Sequence, residues 1–222
     1  MPMQRHDVDF EILDEETLAR WRNLPPAIVS DCMNRTQTMA GAIKPVAQGM
    51  RIAAQARTVD CMVGDNSALH LAIGIARPGE VLVVDAGGYA DTALWGGIMT
   101  RAALKRGIAG LVIDGAVRDV AEIRELGFAV FTRAVVPAGP HKGFGGVIDG
   151  AIACAGCPVR PGDVVLGDDD GVCVVPLARA KEIMAAAVDK IAEEEKTNAD
   201  TAKGRLPSDR MGLPAPEIVG GG

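Results

Sequence analysis

Short apolar runs alternate with helix-like segments through the middle of the chain. Three of the runs have the length and composition of buried strands: Val81–Val84, Leu111–Ile113 and Phe128–Phe131. Between them, residues 98–106 and 120–126 place apolar side chains at helical spacing, and these segments end at Gly107 and Gly127. The order strand, helix, strand, helix, strand predicts parallel strands joined by right-handed crossovers.

The glycine pair Gly96-Gly97 opens the first of these helices, and the Leu111–Ile113 strand runs into an Arg-Asp pair, Arg118-Asp119. A glycine-lined helix start and a charged pair therefore both follow neighbouring strands. In α/β folds, ligand sites form at these carboxyl ends. The side chains that we expect on one face of the first helix are Ile98, Met99, Ala102 and Ala103.

The same criteria divide the rest of the chain. Helices are predicted at Glu15–Leu24, Ala27–Met33, Ser67–Ile75 and Leu177–Lys196. Strands are predicted at Arg51–Ala54 and Ala56–Val63 around a break at Gln55, and a hairpin is predicted to turn at Asp168–Asp170. Residues 137–146 lack periodicity and predict a mobile connector, in which His141 and Lys142 could contact a ligand. His70, on a partly apolar helix, is expected to be structural.

We therefore predict one α/β domain, residues 25–176, with two extensions. Residues 1–24 form an N-terminal arm and helix, of which residues 1–14 are expected to be loose. Residues 177–222 form a C-terminal helix and tail, which we expect to make contacts in an oligomer.

Composition narrows the class of protein. Among 222 residues, 48% are hydrophobic but only 3% are aromatic, and 23 basic against 29 acidic side chains give a net charge of −6. This balance argues against direct nucleic-acid binding, and no apolar run of membrane-spanning length or signal peptide stands out. We expect a soluble cytoplasmic protein. Five scattered cysteines fit a reducing compartment, and the pair Cys154 and Cys157 predicts core packing rather than redox or metal chemistry.

The chemistry of the glycine-lined turn follows from its residue types. Free amides at Gly96–Met99 would form an anion cradle at a helix N-terminus. Arg118 carries a planar cation that suits a carboxylate, and Asp119 beside it offers a hard oxygen ligand for a divalent cation. Asp119 and Glu122 also match a capping box, so the aspartate could instead serve only as a helix cap.

The chain resembles the RraA family. The resemblance rests on the string WGGIMT at Trp95–Thr100, on the DGAVRDV string at Asp114–Val120 and on the 20 residues between Gly97 and Arg118. That family includes regulators of ribonuclease E and class II aldolases for 4-hydroxy-4-methyl-2-oxoglutarate and 4-carboxy-4-hydroxy-2-oxoadipate. It implies a three-layer β/β/α swivelling-domain fold, here with helical N- and C-terminal extensions, assembled as a homotrimer or a dimer of trimers.

The resemblance also implies roles for particular residues. Backbone groups of Gly96, Gly97, Ile98 and Met99, with the side chain of Arg118, would hold pyruvate. Asp119 would ligate Mg²⁺ or Mn²⁺, and Glu194 is the candidate for a glutamate that reaches the site of a neighbouring subunit. In related aldolases the position of Gly97 carries Asp or Glu, which helps to hold the metal's waters.

Two functions of different classes follow. The first is a divalent-metal-dependent lyase, an aldolase or oxaloacetate decarboxylase, that cleaves a 4-hydroxy-2-oxo acid through a pyruvate enolate stabilised by Arg118 and the metal. No lysine lies beside the glycine turns or the Arg-Asp pair, which argues against a Schiff-base aldolase. The second is an RraA-like regulator that binds an RNA-processing enzyme through its acidic surface. Neither function calls for direct binding of nucleic acid or membrane.

Overall fold

The computed structural model describes residues 2–220, which form a mixed α/β fold. The strands are β1 (Met3–Arg5), β2 (Lys44–Pro45), β3 (Ile52–Cys61), β4 (Val81–Asp85), β5 (Ala93–Trp95), β6 (Gly110–Val117), β7 (Ala129–Val135), β8 (Gly146–Ile148), β9 (Ile152–Cys154), β10 (Cys157–Val159), β11 (Val164–Asp168) and β12 (Gly171–Val175). The helices are α1 (Glu15–Arg22), α2 (Pro26–Cys32), α3 (Ser67–Ile75), α4 (Gly97–Lys105), α5 (Val120–Glu125), α6 (Ala180–Ala202) and α7 (Ser208–Met211).

The central sheet has the strand order β1-β8-β3-β4-β6-β7-β2. Its middle strands β3, β4, β6 and β7 are parallel, which confirms the arrangement predicted from the alternating apolar runs. The short strand β5 adds to the carboxyl half of β6, where Ala93 pairs with Ala116. This pairing brings the end of β5, and the glycines that follow it, beside the end of β6.

Alternating side chains of the central strands enter two separate apolar cores. On β4, Leu82 and Val84 pack against helices α3–α5, whereas Val81 and Val83 face strands β9–β12. The predicted helix, sheet and second β layer are therefore present. Helices α1 and α6 of the extensions form a fourth layer together with α2, and the three cover the outer face of the β11–β12 hairpin.

Strand β3 is continuous, so the break predicted at Gln55 is wrong. Residues 52–55 pair with β11, and residues 56–60 pair with β4. The side chain of Gln55 is buried and donates hydrogen bonds to the carbonyl oxygens of Glu11 and Gly162. A polar residue inside an apolar strand pattern marks the point where the strand changes sheets.

The N-terminal arm is not loose. Residues 3–5 form β1, which pairs in parallel with β8. Arg5 also forms an ion pair with the buried carboxylate of Asp149, and Asp149 in turn contacts the buried guanidinium of Arg57. Backbone pairing and an ion pair therefore hold the arm at the edge of the central sheet. The polar sequence of the arm predicts neither interaction.

Two other local predictions are confirmed. The helix predicted at Ser67–Ile75 has those bounds, and the predicted hairpin turns at Asp169 and Asp170. The final helix begins after a 3₁₀ turn at Leu177–Arg179 and runs further than predicted, to Ala202. Residues 1, 221 and 222, at the ends of the predicted arm and tail, lie outside the described range. No helix within residues 2–220 is both long enough and apolar enough to cross a membrane.

Candidate active site

A cavity of about 140 Å³ lies at the carboxyl ends of β5 and β6. Its wall contains most of the residues predicted to bind substrate or metal. A larger cavity, of about 390 Å³, lies beside α1 and contains none of them, so size alone does not locate the chemistry. The residues that line the smaller cavity are Asn66, His70, Ala93, Leu94, Trp95, Gly96, Ile98, Met99, Arg118, Asp119, Pro140 and Lys142.

Trp95 fixes the geometry of the glycine-lined turn. Its ring stacks on Phe128 with a centroid distance of 6.0 Å, and its indole N–H donates to the hydroxyl of Thr100 at 2.8 Å. The Thr100 hydroxyl donates to the carbonyl oxygen of Gly96 at 3.1 Å, and the amide of Arg118 donates to the carbonyl oxygen of Trp95 at 2.9 Å. The side chain of Trp95 therefore positions the start of α4, and its backbone carbonyl positions the Arg-Asp pair.

At the first turn of α4, where the sequence predicts an anion cradle, one backbone amide is already engaged. The amide of Gly97 donates to Oδ2 of Asp119 at 2.9 Å. The amides of Ile98 and Met99 have no acceptor within residues 2–220, as expected for the first turn of a helix. These two N–H groups remain to bind an anion.

The predicted apolar face of α4 is partly wrong. The side chain of Met99 is buried, but that of Ile98 is 81% exposed and Ala102 is exposed. The helix instead buries Met99, Thr100 and Ala103 against the core. Ile98 therefore contributes its backbone and an exposed apolar side chain to the rim of the cavity.

Asp119 does not act as a helix cap. Its side chain makes no capping hydrogen bond to α5, although the residue stands at the N-cap position. Its backbone is left-handed, with φ of 58°, which is unusual for a residue other than glycine. This conformation turns the carboxylate back toward Gly97, so the capping-box hypothesis is wrong and the aspartate remains available at the cavity. Such conformations concentrate at functional sites.

The guanidinium of Arg118 lies beside this carboxylate. Its Nε is 3.7 Å from Oδ2 of Asp119, and its side chain is 42% exposed. A Cβ atom at Gly139 would lie 2.8 Å from a terminal nitrogen of Arg118, so glycine leaves room for the guanidinium to pass. The exposed fork can take up a carboxylate or a keto oxygen.

The glycine pair allows close approach of side chains. A Cβ atom at Gly96 would lie 2.5 Å from Oδ2 of Asp119. A Cβ atom at Gly97 would overlap the carboxylate of Glu122. Two carboxylates, those of Asp119 and Glu122, therefore converge on the backbone of the pair.

Glu122, which the capping-box hypothesis paired with Asp119, lies against the glycine pair. Its carboxylate accepts a hydrogen bond from Nε of Arg101 at 2.8 Å, and its side chain is 35% exposed. It occupies the space that a side chain at position 97 would fill. The signal in the sequence was its place one helical turn after Asp119, together with the unusual glycine at 97.

The opposite wall comes from the start of α3 and from the loop at residues 137–146. This loop is not a free connector, because the amide of His141 donates to the carbonyl oxygen of Gly64 and that of Gly143 donates to Oγ of Ser67. It places Lys142 in the cavity wall, near His70. Burial and the ammonium of Lys142 lower the pKa of His70, while Asp65 opposes them. His70 therefore belongs to the site and not only to the scaffold.

The carboxylates at the turn fit a magnesium-like ion. Within residues 2–220, no cluster of three or more His, Cys, Asp or Glu side chains could hold a metal by itself. Mg²⁺ is commonly held by one or two carboxylates and keeps several waters, whereas zinc requires more side-chain ligands. The pair Asp119 and Glu122, both partly exposed, therefore suits Mg²⁺ or Mn²⁺ with substrate and water as further ligands.

The pattern of residues 26–174 matches the RraA-like family, described as Aldolase/RraA. This chain belongs to that family. A protein of Halalkalibacterium halodurans named as a putative 4-hydroxy-4-methyl-2-oxoglutarate aldolase is 35% identical over 193 residues, which cover 87% of this chain and 89% of the relative. The 4-hydroxy-4-methyl-2-oxoglutarate aldolase of Thermus thermophilus is 33% identical over 67% of this chain and 90% of its own length.

Solved structures of the family share the fold. One is a Streptomyces coelicolor protein described as an unusual member of the RNase ES inhibitor RraA protein family. It superposes with a TM-score of 0.75 at 29% identity, and the match covers 84% of this chain and 98% of that one. The family therefore holds proteins named as aldolases and proteins named as ribonuclease inhibitors.

The cavity brings together Gly96, Ile98, Met99, Arg118 and Asp119, whereas Gly97 does not line it but donates its amide to Asp119. Glu194 is exposed on α6, a helix of the fourth layer, and does not line this cavity. Its predicted reach into the site of a neighbouring subunit stays a prediction. Cys154 and Cys157 are buried as a cross-strand pair in the β9–β10 hairpin, which confirms that they pack in the core.

Proposed function

We propose that this protein is a divalent-metal-dependent lyase that cleaves a 4-hydroxy-2-oxo acid to pyruvate and a second carbonyl compound. One observation carries the proposal: the guanidinium of Arg118, the carboxylate of Asp119 and the unpaired amides of Ile98 and Met99 meet at one cavity. A 2-oxo carboxylate has matching groups, namely two carboxylate oxygens and a keto oxygen.

Substrate binding follows from charge and hydrogen-bonding capacity. The two free amides at the start of α4 donate to the carboxylate, with support from the helix dipole. Arg118 donates to the keto oxygen, on which negative charge grows as the enolate forms. A cation that is already in place at that oxygen stabilises the transition state more than the ground state.

Asp119 and Glu122 would hold the divalent cation. When bound, Mg²⁺ or Mn²⁺ supplies Lewis-acid stabilisation of the enolate. Asp119 is held in a fixed orientation by the Gly97 amide, and Glu122 by Arg101. The second carboxylate is the counterpart of the Asp or Glu that related aldolases carry at the position of Gly97.

In the cleavage step, a base removes the proton from the C4 hydroxyl and the C4 oxygen becomes a carbonyl. The C3–C4 bond breaks, and its electron pair enters the pyruvate enolate, which then takes a proton at C3. Decarboxylation of oxaloacetate gives the same enolate by loss of CO₂. The same residues of this chain would therefore support both reactions.

The structure adds a lysine, Lys142, that the sequence analysis did not place near the turn. Its exposure argues against the desolvated pocket that a Schiff-base lysine requires. A coupled assay of pyruvate release with Mg²⁺, with Mn²⁺ and with EDTA tests the metal dependence. Activity that survives EDTA, together with borohydride trapping of pyruvate on Lys142, would contradict the proposal.

A second candidate function is regulation of an RNA-processing enzyme, because the similar Streptomyces coelicolor protein is described as a member of a ribonuclease inhibitor family. The net charge of −6 is compatible with an acidic docking surface. An RNA-cleavage assay with a purified ribonuclease of the E type tests it. Inhibition that is unaffected by Arg118→Lys would show a function independent of the cavity.

A further inference from the structure

Two buried side-chain polar atoms in residues 2–220 have no hydrogen-bond partner: Nε1 of Trp21 and Oδ1 of Asn66. Asn66 is 3% exposed and lines the candidate active-site cavity. Buried polar atoms are normally paired, and an unpaired one in a residue that lines a cavity is available to a ligand group. Trp21 lies in the fourth layer, outside this cavity.

The orientation of the Asn66 amide follows from its neighbours. Its Nδ2 donates to the carbonyl oxygen of Leu94 at 2.9 Å and contacts Sδ of Met99 at 3.3 Å. A flipped amide would place two acceptor oxygens against each other, so the oxygen must be the unpaired atom. Because Met99 is part of the anion cradle, the Asn66 side chain is in direct contact with the residues that bind the 2-oxo acid.

Local structure does not account for the free oxygen. Asn66 stands at the N-cap of α3, where an asparagine side chain usually accepts a backbone N–H. Here Asp65 takes that role, since its Oδ1 accepts the amide of Ser67 at 2.8 Å. The Asn66 side chain is thus released from capping and belongs to the cavity.

We propose that Oδ1 of Asn66 accepts a hydrogen bond from the C4 hydroxyl of the substrate. The inference rests on the proposed lyase function and names the substrate feature that the site selects. An amide oxygen accepts hydrogen bonds and cannot donate them. At neutral pH, the carboxylates and keto oxygen of a 4-hydroxy-2-oxo diacid are acceptors only, and its hydroxyl is the one donor. Asn66 therefore recognises the C4 hydroxyl, which distinguishes a 4-hydroxy-2-oxo acid from a 2-oxo acid without that group.

This assignment makes Asn66 a specificity-determining residue. A 2-oxo acid without the hydroxyl leaves Oδ1 buried and unpaired, and sites built to hydrogen-bond a hydroxyl discriminate strongly against such analogues. Pyruvate occupies only the cradle and Arg118, so reactions of pyruvate alone do not use this contact. The two kinds of reaction can be compared in one protein.

The test measures two rates with Mg²⁺ present. One is cleavage of 4-hydroxy-4-methyl-2-oxoglutarate, and the other is exchange of the pyruvate methyl protons with D₂O, which needs the enolate but no hydroxyl. In Asn66→Ala and Asn66→Leu, we expect kcat/KM for cleavage to fall about tenfold or more relative to exchange. Trp21→Phe removes the other unpaired polar atom and is expected to leave the ratio unchanged.

The outcomes distinguish a failure of the Asn66 assignment from a failure of the proposed lyase function. A parallel loss of both rates in the Asn66 variants overturns the proposal and assigns Asn66 to the cradle or to a proton-carrying water. An unchanged ratio with both rates intact also overturns it. Absence of metal-dependent exchange in the unaltered protein would instead overturn the lyase function itself. The two substitutions differ in volume, so a folding failure in one leaves the other as the test.

Discussion

The carboxylate of Glu122 fills the space above Gly97 in which a side chain at that position would lie. The family resemblance implies that related aldolases usually carry a carboxylate on position 97 itself. In this chain a carboxylate reaches the same place from α5, one helical turn after Asp119. We therefore propose that Glu122, from another helix, supplies the negative charge that glycine does not provide at position 97.

This relationship predicts the effect of restoring the carboxylate at position 97. Gly97→Asp alone is expected to lower turnover, because its Cβ and carboxylate collide with Glu122. Combined with Glu122→Ala, the same substitution should recover Mg²⁺ affinity and cleavage that Glu122→Ala alone loses. Calorimetric Mg²⁺ titration and pyruvate release measure both quantities.

Arg101→Ala is the matched control for Glu122→Ala. It breaks the ion pair between Arg101 and Glu122 but leaves the carboxylate at the turn. We expect it to retain most of the Mg²⁺ affinity. Normal Mg²⁺ binding in Glu122→Ala would show that Glu122 only packs against the glycine.

Arg118→Lys keeps the charge but removes the planar fork. Turnover is expected to fall by about 10²-fold or more, since a lysine cannot donate two parallel hydrogen bonds to the substrate. The side chain is partly exposed, so the melting temperature should not change. Near-normal pyruvate release by a folded Arg118→Lys protein would remove this residue from the mechanism.

Asp119→Asn separates the charge of the side chain from its shape. Asparagine tolerates the left-handed backbone and can still accept the Gly97 amide, so the melting temperature is expected to stay the same. Loss of the charge should abolish most of the Mg²⁺ affinity and the activity. Asp119→Ala adds the loss of the hydrogen bond and should also lower stability. An active Asp119→Asn protein would rule out a metal ligand at this position.

The pKa of His70 tests the position of Lys142 in the cavity wall opposite the glycine-lined turn. Burial and the Lys142 ammonium hold its pKa below the usual value, against the opposing effect of Asp65. Lys142→Gln removes one depressing cause, so the His70 pKa is expected to rise in an NMR titration. Lys181→Gln, on α6, is the control and should not move it.

The lowered pKa of His70 also makes the stability of the folded protein depend on pH. With a depressed pKa in the folded state, the unfolded chain binds more protons, so His70 lowers stability as pH falls below its unfolded pKa. In Lys142→Gln this acid-side loss should be smaller. A pKa that stays fixed or falls would show that the lysine does not lie beside the imidazole.

The full chain is expected to form a trimer or a multiple of three in light scattering. Truncation before Pro176 is a poor test, because it removes Ile183 and Ala187 from the core beside α2. Stopping at Gly204 keeps α6 and removes a tail with exposed apolar side chains. We expect that shorter chain to form a smaller or less stable assembly. An active monomer of the full chain would contradict both the assembly and the cross-subunit role of Glu194.

Local sequence patterns predict the elements whose own residues carry a clear apolar spacing. The apolar spacing of α3 and of the parallel strands depends on neighbouring residues, so the sequence indicates them directly. The prediction for β1 was wrong because one methionine followed by two polar residues carries no strand pattern. That strand depends on backbone pairing with β8, which lies more than a hundred residues away.

The site shows the same division. The glycine pair and the Arg-Asp pair are each formed by adjacent residues, so local sequence patterns indicate them. The capping box failed at Asp119 because a left-handed backbone at one residue redirects the side chain, and propensity does not encode that. Asn66 and Lys142 join the cavity only through the fold, since α3 and the loop at 137–146 meet the turn across separate strands.

The pairing of strand β3 determines how the protein unfolds. It is hydrogen-bonded to β11 at one end and to β4 at the other, so it belongs to the outer hairpin and to the central sheet at once. Neither sheet can open fully while β3 stays in place in the other. Amide exchange at Val165 and at Val83 should therefore proceed through one shared global opening, and the catalytic cavity should be lost in the same cooperative transition as the outer helices.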